Sequence, residues 1–445
     1  MAGGRFDRRI GKVLPGNYIN FEGTNQEILS PASRGTVIVP LIGHDYGPEK
    51  EFIVIDNSAP DAAYSKLGYS IYDSDPNDSM LLIREAFKRS KTIKLYIPKS
   101  GTQAAGTGGG AQAKAKHGGT RGDKLSYAVI ANPASGKLDV NIFLDGAHVE
   151  SLEGITTVEE LIVLNSEYIT FEGTGPLTPA AGVKLTGGAN ATTANKDISD
   201  FVDAVEGVSF NTLCFPVEES TLKAAVVSKI KYLRDDVGKT VKAVVPQYDA
   251  DYEGIINVTN AVVVDGKRLS IAQTCAWVAG ADAGATMLQS NTATVYEGAT
   301  AIVEPKGNEA AKAAVKNGEF FFAYSEKGAV TVTYDINSLV TYGDKKNKQY
   351  TKNKVIRVFD SFAESIQLNF PPGKYDNFGK GWEVMDGVGK TILKQYDDEG
   401  AIKDVDYDTD FKVDRTISKG DETYFNVGLA AGDKSEKLYF SIATR

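Results

Sequence analysis

The stretch VIVPLI, residues 37–42, indicates the fold more directly than other parts of the sequence. Its apolar residues are continuous, which is typical of a strand that is buried on both faces of a parallel sheet. A capped helix sequence, DPNDSMLLIREAFKRS, follows at 75–90 and carries apolar side chains at helical spacing. Residues 93–97 then alternate apolar and polar side chains and predict a further strand. This order of strand, helix and strand predicts an α/β fold.

The same pattern resumes at residue 198. A helix is predicted over 222–233, where leucine, valine and isoleucine recur on one face, and the strand VKAVVP follows at 241–246. Helix and strand segments continue to alternate up to residue 335, with a predicted helix LSIAQTCAWVAGADAG at 269–284 and predicted strands ATAIVE at 299–304 and EFFFAY at 319–324. We therefore predict a discontinuous α/β core, formed by residues 31–98 and 198–335 around a doubly wound sheet.

Residues 99–197 interrupt this core and differ from it in pattern. They open with GTQAAGTGGGAQAKAKHGG at 101–119, which predicts a flexible loop because its residues are small and lack a period. Short apolar runs follow, separated by Asn-Pro, Asp-Gly and Gly-Pro turns. This spacing predicts an inserted β-sandwich or small barrel.

The end of the chain predicts a C-terminal α+β domain at 336–435 and a separate arm at 436–445. The domain contains a helix, with apolar residues at helical spacing over 355–366, and a strand candidate at 422–429. The arm alternates apolar and other residues and predicts a last strand. The apolar face of this arm strand consists of Leu438, Phe440 and Ile442.

A heptapeptide occurs twice, as YINFEGT at 18–24 and as YITFEGT at 168–174. The flanking sequences differ, so the two copies are separate strand-and-turn segments rather than an internal repeat. The second copy has sandwich strands nearby, whereas the first lies in an N-terminal arm, 1–30, with no neighbouring strand in sequence. A strand without a partner exposes backbone donors and acceptors, so it requires a sheet elsewhere. The strand residues of the first copy are Tyr18, Ile19, Asn20 and Phe21.

Composition narrows the class of protein. The 445 residues carry a net charge of −9, which disfavours a nucleic-acid binder because phosphate neutralisation requires a basic surface. The N-terminus carries charges where a signal peptide would be apolar, and no apolar run approaches the roughly 20 residues that span a bilayer. These features predict a protein that is made in the cytoplasm, with both cysteines reduced and buried.

Motifs that could support catalysis or cofactor binding are incomplete. The GKT sequences at 238–240 and 389–391 lack the upstream glycine of a phosphate-binding loop, so we interpret them as turns at helix ends. The alternating aspartates of 404–410 lack the glycine and glutamate of a calcium loop and predict a solvated acidic loop, with an interaction patch as the alternative. None of the three histidines adjoins a nucleophile motif, which predicts surface or loop positions for His44, His117 and His148. We therefore predict no enzyme activity, no cofactor and no metal site.

Several segments resemble contractile tail sheath proteins of myophages, defective prophages and phage-tail-like bacteriocins of Gram-positive bacteria. The resemblance extends over essentially the whole chain and depends on the order and spacing of its segments. These are MAGGRFDRRIGKVLPGNYINFE, LTGGANAT, AVTVTYDINSL, NKVIRVFDSFAESI and DFKVDRTISKGDETYFNVGLAAGDKSEKLYFSIATR.

The resemblance implies a structural role. It implies a subtilisin-like but non-catalytic core, a β-sandwich inserted towards the outside and a C-terminal domain that faces an inner tail tube. It also implies terminal arms that donate strands to a sheet in a neighbouring subunit. The residues that match these arms are Tyr18, Ile19, Asn20, Phe21, Leu438, Tyr439, Phe440, Ser441 and Ile442.

A protein of this kind polymerises helically around the tube and contracts to drive it through a bacterial envelope, with genome ejection in a bacteriophage. The implied partners are further copies of the chain, the inner tail tube protein, and baseplate and tail terminator proteins, without nucleic acid or membrane insertion. The implied location is a virion or tail-like particle that is assembled in the host cytoplasm and released on lysis.

The sequence leaves undecided which surface contacts the tube. The resemblance makes the helix at 354–370 a candidate, with Lys352, Lys354 and Arg357 facing acidic tube groups, but a solvated helix end explains these charges equally well. Two other functions also stay open. One is a cytosolic hydrolase on the subtilisin-like core, and the other is a different self-assembling shell or surface-array protein.

Overall fold

The computed structural model describes residues 34–443. The predicted N-terminal arm with its strand at 18–21 lies outside the described residues. The helices are α1 (Tyr64–Leu67), α2 (Ser79–Phe87), α3 (Val158–Val163), α4 (Asn195–Ala204), α5 (Ser220–Asp235), α6 (Ile271–Gly284), α7 (Asn308–Lys316), α8 (Asn353–Asn369) and α9 (Gly379–Asp398).

The strands are β1 (Thr36–Pro40), β2 (Phe52–Asp56), β3 (Thr92–Tyr96), β4 (Ala105–Gly108), β5 (Ala111–Ala115), β6 (Leu125–Asn132), β7 (Lys137–Leu144), β8 (Ala147–Ile155), β9 (Ile169–Glu172), β10 (Ala180–Lys184), β11 (Thr212–Cys214), β12 (Lys242–Pro246), β13 (Ile255–Val258), β14 (Ala261–Val264), β15 (Lys267–Arg268), β16 (Ala299–Val303), β17 (Glu319–Phe320), β18 (Phe322–Tyr324), β19 (Val330–Val332), β20 (Phe411–Val413) and β21 (Phe425–Val427).

By their internal contacts the described residues divide into a core unit, 34–361 with 431–443, and a C-terminal unit, 362–430. The division falls within α8 rather than at residue 336, where the sequence places the start of the C-terminal domain. The last described residues return to the core unit.

A seven-stranded sheet forms the centre of the core unit, in the order β17-β13-β12-β11-β1-β3-β2. All neighbours are parallel except β2 and β3. Strand β1 explains why its residues are apolar without alternation. Val37 and Val39 pack in one buried cluster with α2 and α6, and Ile38 packs in another with α4 and α5. Because helices cover both faces, both sets of side chains are buried, and the predicted mixed α/β fold is confirmed.

The range predicted for the insertion contains two antiparallel sheets. One has the order β10-β6-β7-β8 and the other β4-β5-β9, and their inner faces share one apolar cluster. The prediction of a flexible loop at 101–119 is wrong, because β4 and β5 form a hairpin there. The residues are small because the chain passes close to its neighbours: a Cβ at Gly106 would lie 2.6 Å from the carbonyl oxygen of Lys184.

Two other strand assignments change in the core unit. The predicted strand EFFFAY at 319–324 is split, because β17 joins the central sheet and β18 pairs with β19. The predicted strand ATAIVE at 299–304 contains β16, which joins a separate antiparallel sheet, β15-β14-β16, rather than the doubly wound sheet. Local apolar patterns predict that a strand exists, but long-range packing decides which sheet it joins.

In the C-terminal unit, α9 packs against the hairpin formed by β20 and β21. The GKT sequence at 389–391 lies inside α9, so its interpretation as a turn at a helix end is wrong. Gly389 is required by close packing, because an added Cβ would lie 1.9 Å from the ring of Phe411. That ring is 2% exposed and lies among the rings of Phe370 and Phe425.

Gly389→Ala is expected to lower the free energy of unfolding of the C-terminal unit by roughly 1–3 kcal/mol, because the enclosed Phe411 ring has little room to move. The matched control is Gly387→Ala in the same helix, where no heavy atom lies within 4 Å of the added Cβ. This control should instead stabilise the helix by up to about 1 kcal/mol. Urea unfolding followed by the fluorescence of Trp382 on α9 measures both effects, and equal shifts would contradict the packing argument.

Candidate assembly interface

The C-terminal arm exposes an apolar strand sequence. Within the described chain, residues 438–442 join no sheet. The exposed fractions are 66% for Leu438, 90% for Tyr439, 80% for Phe440 and 87% for Ile442. Large apolar residues that alternate along an unpaired extended segment are a template for pairing with another chain. The predicted strand is therefore absent from the described fold, because the sequence supplies the strand residues but this part of the chain supplies no partner strand.

The second copy of the heptapeptide shows how such a sequence packs when a partner is present. Its residues 169–172 form β9, which pairs antiparallel with β5. Tyr168, Ile169 and Phe171 are buried in the cluster of the inserted sandwich. The first copy, at 18–24, lies outside the described residues, so its pairing stays a prediction.

The hairpin of β20 and β21 is a small sheet with one open edge. Each strand has three residues, and such two-stranded ribbons are marginally stable on their own. The outer edge of β20 is covered, because the Val413 N–H donates to Asp386 on α9 at 2.8 Å. Within the described chain, β21 pairs only with β20. Its other edge therefore offers backbone groups to an additional strand.

The three cations proposed for tube contact lie in the interior. Arg357 is 0% and Lys354 3% exposed, and the Lys352 side chain is 12% exposed. Lys354 Nζ donates to the Gly432 carbonyl oxygen, and Lys352 Nζ contacts the carboxylate of Glu436. The interpretation as a solvated helix end is wrong, and burial argues against direct contact of these side chains with a tube.

Arg357 belongs to a buried charge cluster at the start of α8. Its Nη1 donates to Asp282 at 2.8 Å and its Nη2 donates to Asp335 at 2.9 Å. Asp282 on α6 also accepts from Lys242 Nζ and from Thr212 Oγ1, each at 2.8 Å. The cluster therefore connects two strands of the central sheet to α6 and α8. Sequence reasoning missed it because the four charged residues are distant from one another along the chain.

Burial and ion pairing shift the pKa values of the charged groups in this cluster. Burial alone would raise the pKa of Asp282, but Lys242 and Arg357 outweigh it, so this pKa lies well below its ordinary value. Burial lowers the pKa of Lys242 to about 8, although Asp282 opposes the shift. For Arg357, Asp335 and Asp282 outweigh burial and raise the pKa. The cluster is thus a set of mutually dependent charges.

His44 and His117 lie in loops, in agreement with the predicted surface or loop positions, but both side chains are at least partly buried. His44 is 5% exposed, and its Nε2 donates to the Leu67 carbonyl oxygen at 2.9 Å. His44 therefore lies in a loop, which agrees with the predicted surface or loop position, although its side chain is buried. His117 is half-buried against the ring of Tyr46, and burial lowers its pKa to about 4. Burial also lowers the pKa of His44.

His148 lies in strand β8 and is exposed, in agreement with the predicted surface position. Its Nε2 is 2.8 Å from Ser151 Oγ, and this hydroxyl donates to Asn141 Oδ1 at 2.8 Å. Among the described residues, no carboxylate is recorded against the imidazole. The arrangement is an exposed polar network on one face of a sheet, and it lacks the third member of a hydrolase triad.

The other residues considered as candidate functional groups, the two cysteines and the aspartates of 404–410, are structural. Cys214 and Cys275 are buried free thiols, as predicted, and burial raises the pKa of each. The aspartates of 404–410 cap their own turn: Asp410 Oδ2 accepts from the Asp406 N–H at 2.7 Å. Over residues 34–443, no group of histidine, cysteine and carboxylate side chains is placed to hold a metal ion. In the same range, no helix combines the length and the apolarity required to cross a membrane.

Comparison with known proteins is consistent with an assembly role. The family profile of the phage tail sheath protein central domain matches residues 191–338, and that of the phage tail sheath C-terminal domain matches residues 345–445. The chain is 35% identical to the phage-like element PBSX protein XkdK of Bacillus subtilis (strain 168), over 99% of each chain.

Solved structures agree with these matches. The crystal structure of the sheath tail protein from Desulfitobacterium hafniense is 35% identical, with 96% of this chain and 99% of that chain covered at a TM-score of 0.82. The contracted helical sheath of the anti-feeding prophage shares the fold at 13% identity, with a TM-score of 0.59 over 98% and 100% of the two chains.

The fold and the exposed terminal segment define a structural protein of the sheath class. The chain belongs to the phage tail sheath protein family, and it is a structural subunit of a contractile tail sheath. The predicted resemblance is confirmed.

Proposed function

We propose that this chain polymerises helically around an inner tube and that neighbouring copies are joined by exchange of terminal strands. The exposed segment 438–442 carries the proposal, because its apolar residues and unpaired backbone require a partner sheet. The predicted strand at 18–21 would act in the same way from the other terminus. A contact of this kind is head-to-tail, and when it does not close on itself it generates a helical filament.

The proposed acceptor is the open edge of β21 in a neighbouring copy. A two-stranded sheet of three residues per strand gains stability when a third strand is added. The other two-stranded sheet of the described chain, β18 with β19, is a poorer acceptor. Phe322, Val330 and Val332 of that sheet are buried in the core cluster, and Val295 already bridges to Thr331 at its edge.

Strand exchange is strong enough to hold such a polymer together. Each backbone hydrogen bond contributes roughly 0.5–1.5 kcal/mol net, so a five-residue strand supplies several kcal/mol in addition to its buried side chains. On the N-terminal side, residues 23–34 would span about 40 Å when extended, which is enough to reach a neighbour. Folded cores can then rotate and slide while the arms keep them connected.

Contraction follows as a transition from a metastable extended packing to a better-packed one, with energy stored during assembly and without a nucleotide. The contracting polymer would drive its tube through a bacterial envelope. Its partners would be the tube protein, baseplate proteins and a tail terminator, in a particle assembled in the host cytoplasm and released on lysis.

The finer architecture belongs to the same proposal. We propose that the core is subtilisin-like and non-catalytic, that the insertion at 99–197 faces outward and that the domain at 336–435 faces the tube. The parallel sheet with helices on both faces supports the first point. Loss of a hydrolytic activity on replacement of the three histidines would instead favour the hydrolase.

Deletion of residues 1–22 tests strand exchange at the N-terminus. The variant should remain a folded monomer but form no tubes in electron micrographs, because the arm strand is removed while the core from residue 34 onward is intact. Removal of residues 2–4 only is a suitable control and should leave the tubes unchanged. Normal tubes from the larger deletion would contradict donation by this arm.

A further inference from the structure

One buried side chain holds the C-terminal arm to the core just before the exposed strand. Glu436 lies in the segment 431–443, which belongs to the core unit by its contacts. Its side chain is 8% exposed, and Oε1 accepts from Ser290 Oγ at 2.7 Å and from Thr292 Oγ1 at 2.6 Å. Lys352 Nζ contacts the other carboxylate oxygen. Two hydroxyl groups and one ammonium group therefore hold a single carboxylate.

The residues around Glu436 are held much less firmly. Lys434, Ser435 and Lys437 are exposed. Two surface cavities, of about 580 and 500 Å³, are each lined in part by residues of 433–437. This segment therefore packs incompletely on the core, and the inserted carboxylate is its firmest polar attachment.

The attachment is continuous with the buried charge cluster. Thr292 Oγ1, which donates to Glu436, accepts from the Asp335 N–H at 3.0 Å. The Asp335 side chain accepts from Arg357, which donates in turn to Asp282. A chain of hydrogen bonds thus runs from the centre of the core to the base of the arm. Charged hydrogen bonds in a buried network are stronger and more rigid than isolated surface contacts.

We propose that Glu436 is the positioning residue of the C-terminal arm. It fixes the point from which the strand 438–442 is donated, and it transfers load from a bound neighbour to the charge cluster of the core. This inference rests on the proposed strand exchange, and it adds where the arm begins and which side chain holds it there.

The length of the free chain explains why holding Glu436 in place should favour strand donation. With Glu436 held, only the residues after it are free to search for a neighbour. With Glu436 released, residues 433–436 also become free and add roughly 13 Å of slack, because Lys354 still holds the Gly432 carbonyl oxygen. A longer flexible linker lowers the effective concentration of the strand at its acceptor, and it adds conformational entropy that must be lost on binding. An arm that is held at Glu436 therefore favours both assembly and the transfer of force.

Glu436→Ala in the full-length chain tests the inference. The mobility of a spin label at Ser435→Cys should increase, because the anchor is lost; labelling is selective since Cys214 and Cys275 are buried. The critical concentration for tube formation should rise about tenfold. Glu436→Gln, which keeps an acceptor for both hydroxyl groups, should give an intermediate value.

The matched control is Asp433→Ala in the same segment. The Asp433 side chain is 40% exposed and lies 3.7 Å from Lys352, so its removal should change neither the label mobility nor the critical concentration. The core should remain folded at the assay temperature in all variants, as thermal unfolding checks, because Glu436 lies outside the apolar clusters.

The inference is overturned if Glu436→Ala matches the Asp433→Ala control in both measurements. Strand exchange is tested separately by removal of residues 438–445. If that truncated chain still forms normal tubes, strand exchange is wrong, whereas the spin label in the monomer still reports whether Glu436 holds the arm.

Discussion

Removal of residues 438–445 should leave a folded monomer that no longer forms tubes. The fold should persist because residues 438–442 are exposed and pair with no described strand. Assembly should fail because each joint loses several backbone hydrogen bonds and the burial of three apolar side chains. Each of these side chains contributes on the order of 1.5–3 kcal/mol when it is fully buried. Circular dichroism measures the fold, and sedimentation with electron microscopy measures assembly.

A side-chain control distinguishes strand pairing from non-specific apolar contact. Leu438, Phe440 and Ile442 share one face of the arm strand, so replacement of all three with serine should weaken assembly nearly as much as truncation. In the predicted strand Tyr439 lies on the opposite face, so Tyr439→Ser should have a smaller effect. Equal effects from both replacements would indicate non-specific apolar contact, and normal tubes from the truncated chain would falsify donation by this arm.

Arg357→Met is expected to lower the free energy of unfolding of the core unit by about 3–5 kcal/mol. The guanidinium donates to both Asp282 and Asp335 in a fully buried site, so its loss leaves two carboxylates short of compensation. Methionine preserves much of the apolar volume, which limits the effect of a cavity. Urea unfolding followed by circular dichroism measures the change.

Two controls make this second prediction specific. Lys390→Met removes an exposed ion pair with Asp408 and should change stability by less than about 1 kcal/mol. Asp335→Asn added to Arg357→Met removes one of the uncompensated charges and should recover part of the loss. A destabilisation by Arg357→Met no larger than that of Lys390→Met would show that the buried charges contribute little.

The sequence predicted those features that depend on local patterns. The continuous apolar run at 37–42 indicated a strand covered on both faces, because every one of its side chains must be buried. Helical spacing located α2, α5 and α6, and turn residues separated the strands of the insertion. These signals are reliable because helix and strand periods are properties of short segments.

Sequence reasoning failed where small or charged residues can be either packed in the interior or exposed to solvent. It interpreted GTGGG at 106–110 as a flexible loop, but these glycines lie in β4 and in the turn before β5, where they allow close approach of neighbouring backbone. It interpreted the cations at 352–357 as a solvated helix end, but their partners lie far away along the chain. Glycine and lysine patterns alone do not distinguish packing from exposure.

The sequence by itself determined the α/β class and the family, because each depends on residues that are close together or occur in a fixed order. The strand character of the arm at 438–442 stays a prediction. Only the tertiary structure decided that Lys352, Lys354 and Arg357 are buried and that Glu436 fastens the arm to the core. The physical reason is that burial and ion pairing depend on which distant segments meet, and a local sequence pattern does not contain that information.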